Sequence, residues 1–158
     1  MPGTVVFMQL TRLTVEETAQ TQLSRALAQG WRVMVRAADP ARLEQLDDAL
    51  WMTPPNGFLP HGREGGPQDG DQPVLLGAGA PVNGARAVCL LGAMTVDLAE
   101  AARMERTWLL FEGADPAQLA SARGQWKAVT EAGLTAQYHS DESGKWELKA
   151  QKAGAAPG

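Results

Sequence analysis

The chain has 158 residues, of which 44% are hydrophobic and 20% are charged, a composition typical of one globular domain and unlike that of a disordered chain. Its net charge of −4 argues against wholesale binding of nucleic acid through a basic surface, because such binding depends on neutralising phosphates. With a single cysteine, no run of apolar residues long enough to cross a membrane and no basic start to its N-terminus, the chain is expected to be cytoplasmic and without disulfides.

The first 51 residues predict alternating strands and helices. Strands are predicted at 5–10 and 31–37, and helices at 16–29 and 39–51. Thr14 and Glu17 have the spacing of a helix capping box, and Asp39-Pro40 is a typical helix start. This strand–helix–strand–helix order favours a parallel sheet with right-handed crossovers.

Residues 53–73 interrupt that pattern. They include five prolines and five glycines, which exclude a helix and make a central strand improbable. A connection of this length within a compact domain predicts a functional or mobile segment.

The second half of the chain predicts further strands and helices. Strands are predicted at 74–76, 87–91 and 107–111, and helices at 96–103 and 115–133. Two strand candidates, 135–139 and 145–148, are joined by a polar turn. We therefore predict one α/β domain over 1–149, with a C-terminal hairpin at the sheet edge, and a disordered tail over 150–158.

The residues expected of an enzyme are missing from the sequence. Segment 77–79 lacks the third glycine of a dinucleotide-binding fingerprint and does not open a helix. His61 and His139 lie far apart and have no cysteine at ligand spacing, so no metal site is predicted. Cys89 lies inside an apolar run, where a buried and inert thiol is expected.

Two segments carry candidate binding residues. Trp51 and Phe58 flank a proline-rich turn, where they either anchor the loop to the core or remain exposed as a partner site. In the last helix, Arg123 and Lys127 are one turn apart and Trp126 borders their face. Together with Tyr138 from the next strand, they form either a seat for a peptide carboxylate with an apolar terminal side chain, or a solvated helix face.

The chain resembles the chi subunit family of bacterial DNA polymerase III. The resemblance is carried by a helix at 42–51 that ends in Leu-Trp, by Phe58-Leu59-Pro60-His61, and by a glycine-rich stretch that ends in Pro73-Val74. A looser match is the Arg-x-x-aromatic-Lys helix over 119–133. Overall, the resemblance spans residues 4–139.

The resemblance implies a non-catalytic accessory subunit of the clamp-loader assembly that needs no cofactor. It also implies a nucleotide-binding-like fold, so the full prediction is a three-layer sandwich around a Rossmann-like, mostly parallel sheet. The family binds the acidic C-terminal tail of the single-stranded-DNA-binding protein, which ends in a Phe with a free carboxylate. The implied partners include DNA only indirectly and no membrane.

Site residues follow from the resemblance by position. Arg123, Trp126 and Lys127 fall on the family's tail-binding helix, and Tyr138 aligns with a further pocket position. Trp126 replaces a tyrosine, which keeps an aromatic wall but loses a hydroxyl. Trp51 and Phe58 fall on the surface that binds the psi subunit, or here another clamp-loader component.

Two alternatives remain open from the sequence. One is a degenerate nucleotide- or small-molecule-binding enzyme on a Rossmann-like fold. The other is a direct binder of single-stranded DNA that stacks bases on Trp126 and Tyr138, against which the acidic net charge counts.

Overall fold

The computed structural model describes residues 3–37, 39–51, 60–92 and 94–154. Over these residues the strands are β1 (Thr4–Leu10), β2 (Val33–Ala37), β3 (His61–Arg63), β4 (Val74–Leu76), β5 (Ala87–Leu91), β6 (Arg106–Glu112), β7 (Thr135–Ser140) and β8 (Glu147–Lys152). The helices are α1 (Val15–Ala28), α2 (Pro40–Trp51), α3 (Leu98–Arg103) and α4 (Pro116–Glu131), and a 3-10 turn spans Asp69–Asp71.

All eight strands belong to one open sheet in the order β3-β4-β2-β5-β6-β1-β7-β8. Every neighbouring pair is parallel except β7 and β8, which form an antiparallel hairpin at one edge. The predicted α/β class, mostly parallel sheet and C-terminal edge hairpin are therefore confirmed.

Side chains alternate between the two faces of the sheet and build two hydrophobic cores. Val6 and Met8 of β1 pack into the core beneath α1 and α2, whereas Val5 and Phe7 pack into the core beneath α3 and α4. The helices thus form a layer on each side of the sheet, which gives the three-layer sandwich.

The predicted helix starts are confirmed by their hydrogen bonds. Thr14 Oγ1 accepts from the Glu17 amide at 3.1 Å, and Asp39 Oδ1 accepts from the Ala41 amide at 2.9 Å. At the end of α1, Gly30 adopts φ +82°, and the Trp31 amide donates back to the Ala26 carbonyl. Because this turn uses the Trp31 amide, β2 begins at Val33, later than the sequence predicts.

The structure differs from the sequence analysis at both edges of the sheet. The proline- and glycine-rich segment contributes β3, three residues at the edge beside β4, where a short strand tolerates such neighbours. At the other edge β8 continues to Lys152, past the predicted start of a disordered tail at Ala150, because Ala150 and Lys152 pair with β7. Residues 155–158 lie outside the described residues. None of the helices described has the length and apolar character that crossing a membrane requires.

Candidate functional site

Helix α4 is capped at its first turn and packs against the sheet along one face. Asp115 caps its first turn by accepting from the amides of Ala117 at 2.9 Å and Gln118 at 3.3 Å. Ala122 and Val129 are buried against the sheet. The neighbouring face of the helix, which carries Trp126, is therefore held at a defined position beside β7.

Four aromatic rings join α4 to the sheet. The half-buried Trp126 ring meets the Phe7 ring edge-on, with centroids 5.4 Å apart, and meets the Tyr138 ring edge-on at 6.1 Å. Tyr138 in turn stacks with Phe7 at 6.3 Å and contacts Phe111 edge-on at 5.9 Å. Such geometries are favourable for aromatic pairs, so Trp126 and Tyr138 form a rigid, partly exposed wall.

The hydroxyl of Tyr138 is also fixed in place. It donates a hydrogen bond to Oε1 of Gln9, which lies on the neighbouring strand β1. Burial raises the pKa of Tyr138, and the positive charge of Arg123 opposes that increase. Arg123 on α4 is thus a charge that acts on the Tyr138 hydroxyl from the neighbouring element.

Two cations border this wall. Arg123 and Lys127 are exposed, and they stand one turn apart on α4. Neither has an ion-pair partner among the residues described. We call Arg123, Trp126, Lys127 and Tyr138 the α4 site; its free charges and aromatic wall suit an anion that carries an apolar group.

Trp51 lies elsewhere, at the end of α2 on the opposite side of the sheet. Its side chain is 60% exposed, and its ring lies 4.9 Å from that of His61, centroid to centroid. His61 is buried, with Nε2 3.0 Å from Oδ1 of Asp47. Of the two interpretations of Trp51, its exposure favours a partner surface over a core anchor. Phe58 lies outside the described residues.

The loop after β1 occupies the place where nucleotide-binding folds hold phosphate. Here the backbone amides of Thr11, Arg12 and Leu13 all donate to the buried Asp141 carboxylate, at 2.6, 3.0 and 2.7 Å. An internal anion thus takes the donors that a nucleotide phosphate would need. This counts against the alternative of a degenerate nucleotide-binding enzyme.

The last two candidates for chemistry are the cysteine and the side chains that could bind a metal. Cys89 is completely buried in β5, and burial raises its pKa to about 12, so its thiol is inert as a nucleophile at neutral pH. Among the described residues, no group of three or more His, Cys, Asp or Glu side chains is arranged to hold a metal ion.

Three residues that support the α4 site were not predicted from the sequence. Phe7 and Phe111 back the wall, and Gln9 fixes the Tyr138 hydroxyl. The alternation of β1 places Phe7 and Gln9 on one face of that strand, which is a usable signal. It becomes informative only once β1 is known to lie beside β7.

Comparison with known proteins places the chain in a family. The family model for the DNA polymerase III chi subunit, HolC, matches residues 3–137. A search of curated proteins gave no match. The match covers most of the chain, includes α4 and ends one residue before Tyr138, so the β8 strand lies beyond it. The chain belongs to the DNA polymerase III chi subunit family, whose members are accessory subunits of that polymerase.

Proposed function

We propose that this subunit binds the acidic C-terminal tail of the single-stranded-DNA-binding protein at the α4 site. Arg123 and Lys127 would pair with the terminal carboxylate and neighbouring acidic side chains, and the terminal Phe would pack against Trp126 and Tyr138. The observation that carries the proposal is a pair of cations, without ion-pair partners in the described part of the chain, beside the aromatic wall of Trp126 and Tyr138.

The proposed role is tethering without catalysis. Many tails are displayed along coated single-stranded DNA, so a moderate affinity for each tail would hold the clamp-loader assembly at the lagging strand by avidity. Contact with DNA would then be indirect, which suits a chain with a net charge of −4.

Direct titration with a labelled peptide tests this proposal. An acidic peptide that ends in free Phe should bind, the same peptide amidated at its C-terminus should bind much more weakly, and added salt should weaken binding. Arg123→Ala and Lys127→Ala should each weaken binding by up to about fivefold, because an exposed ion pair contributes about 0.2–1 kcal/mol. Arg103→Ala, which removes an exposed arginine from α3, is the matched control.

Two outcomes would contradict the assignment. If Arg123→Ala and Lys127→Ala bind the peptide as the wild type does, the tail is bound elsewhere or not at all. If an oligonucleotide binds at physiological salt and this binding is lost with Trp126→Ala, the chain stacks bases directly, as in the alternative with single-stranded DNA.

A second surface is proposed for the rest of the assembly. Trp51 is a large, exposed aromatic side chain on the face of the sheet opposite to the α4 site. Large aromatic residues dominate binding energy in protein interfaces, so we assign Trp51, with Phe58, to the docking of the psi subunit or another clamp-loader component.

A further inference from the structure

A second cleft lies across the sheet from the α4 site. It has a volume of about 370 Å³ and lies between α1 and the β7–β8 hairpin, both of which contribute lining residues. Its floor is the sheet surface formed by Met8 and Trp108, and its far wall is formed by Trp146 and Leu148 of the hairpin. We call it the hairpin cleft. The residues of its far wall lie beyond the part of the chain that the family model matches.

The hairpin cleft is positively charged. Arg25 from the last turn of α1 and Arg106 from the start of β6 both line it, and neither has an ion-pair partner among the described residues. No Asp or Glu is found among the described residues that line it. In a chain with more acidic than basic residues, an unneutralised pair of arginines at one cleft favours an anionic ligand.

An amide side chain also lines the cleft. Gln22 on α1 is only 7% exposed and has no hydrogen-bond partner among the residues described. Its polar atoms are not among the buried ones that lack a partner, so the amide is open to solvent and free to bond a ligand. A glutamine amide can both donate to and accept from a peptide backbone, and it can also donate to a carboxylate.

Of the two tryptophans that line the cleft, only Trp146 is partly exposed, so a nucleic acid would find at most one of their rings for its bases. Trp108 is 5% exposed and forms part of the core, so it offers no free ring face for a base to stack on. Leu148, by contrast, is 51% exposed and adds an apolar rim beside the arginines. An apolar rim and floor with two cations match acidic side chains that flank one apolar side chain.

We propose that the hairpin cleft is a second peptide-binding site, which takes an internal acidic segment of a partner protein that carries one apolar side chain. Arg25 and Arg106 pair with its carboxylates, Gln22 bonds its backbone, and the apolar side chain packs between Trp146 and Leu148. Unlike the α4 site, the cleft is proposed to take side-chain carboxylates, so its ligand needs no free C-terminus.

The tryptophan side chains allow the two sites to be observed separately by nuclear magnetic resonance. The chain has five tryptophans, and each gives one indole N–H signal; Trp146→Phe and Trp126→Phe identify the signals of the two sites. The probe is a pentapeptide, Asp-Asp-Leu-Asp-Asp, acetylated and amidated so that it has no free terminus. It should shift the Trp146 signal and leave the Trp126 signal in place.

Charge variants complete the test. The double variant with Arg25→Ala and Arg106→Ala should weaken binding of the probe by roughly five- to tenfold, since two partly exposed ion pairs are lost. Arg103→Ala is the matched control, because Arg103 also lies in the last turn of its helix but on the other face of the sheet. This control should bind as the wild type does.

Several results would overturn the proposal. It fails if the probe leaves the Trp146 signal unmoved, or if the double variant binds the probe unchanged. It also fails if an oligothymidine shifts the Trp146 signal and the probe does not, which would make the cleft a nucleic-acid site. A Trp146 signal that moves with protein concentration alone would instead identify a second copy of this chain as the occupant.

Discussion

Replacing Asp141 with alanine should destabilise the protein strongly without touching either proposed binding site. The carboxylate is 1% exposed and accepts three backbone hydrogen bonds from the loop between β1 and α1. Hydrogen bonds to a charged group contribute about 1.5–3 kcal/mol each, which sets an upper limit of roughly 5–9 kcal/mol for three. Thr11, Arg12 and Leu13 are themselves exposed, so water would replace part of the loss. We therefore expect a decrease of about 2–4 kcal/mol in the free energy of unfolding.

Urea and thermal denaturation measure this effect. For a chain of this size each kcal/mol shifts Tm by about 2–4 °C, so the expected decrease is roughly 4–16 °C. Glu142→Ala is the matched control, because this exposed neighbour bonds to other described residues through its backbone alone. A loss of less than about 1 kcal/mol for Asp141→Ala would show that the carboxylate does not anchor the loop, and would reopen the loop as a phosphate site.

Three further predictions concern single side chains. Arg123→Gln should raise the pKa of Tyr138 still further, because a favourable charge is removed; ultraviolet titration of the only tyrosine measures it, and an unchanged pKa would place Arg123 away from the ring. Burial, and then the nearby charge of Arg106, lower the pKa of His139. As the pH falls, His139 is therefore protonated in the unfolded chain before it is protonated in the folded chain. Stability attributable to His139 should therefore fall as pH drops below about 6.5, and level off below the lowered pKa; a wild type and a His139→Gln variant with parallel pH profiles would contradict this. Trp51→Ser should cost less than about 1 kcal/mol in urea denaturation, since the side chain is mostly exposed, and a larger loss would mean that Trp51 is part of the core.

Local patterns in the sequence predict most of the fold. The capping residues Thr14, Asp39 and Asp115 and the apolar runs of the central strands identify the elements, because their signals lie within a few neighbouring residues. Edge elements are harder to predict. The β3 strand has three residues and pairs on one side only, so its sequence carries little strand signal.

The candidate sites depend on contacts between distant parts of the chain. The spacing of Arg123 and Lys127 along a helix is visible in the sequence, and Tyr138 can be placed beside them on the next strand, but the contacts that fix its ring cannot be read there. Its bond to Gln9 spans 129 residues, and the bonds of Asp141 to the first loop span 128–130 residues. No local propensity encodes such pairings; they follow from β1 lying beside β7 in the sheet.

Strand β7 separates the two proposed sites, and this arrangement makes them independent. Tyr138 faces the aromatic cluster beneath α4, whereas Gln137 and His139, its neighbours in the strand, line the hairpin cleft. Anionic ligands on opposite faces of a sheet are screened from each other at physiological salt, where the Debye length is about 8 Å. A tail peptide with free Phe and the capped acidic pentapeptide should therefore bind at the same time, each moving its own tryptophan signal. If either displaces the other, both occupy one site and the hairpin cleft is not a second one.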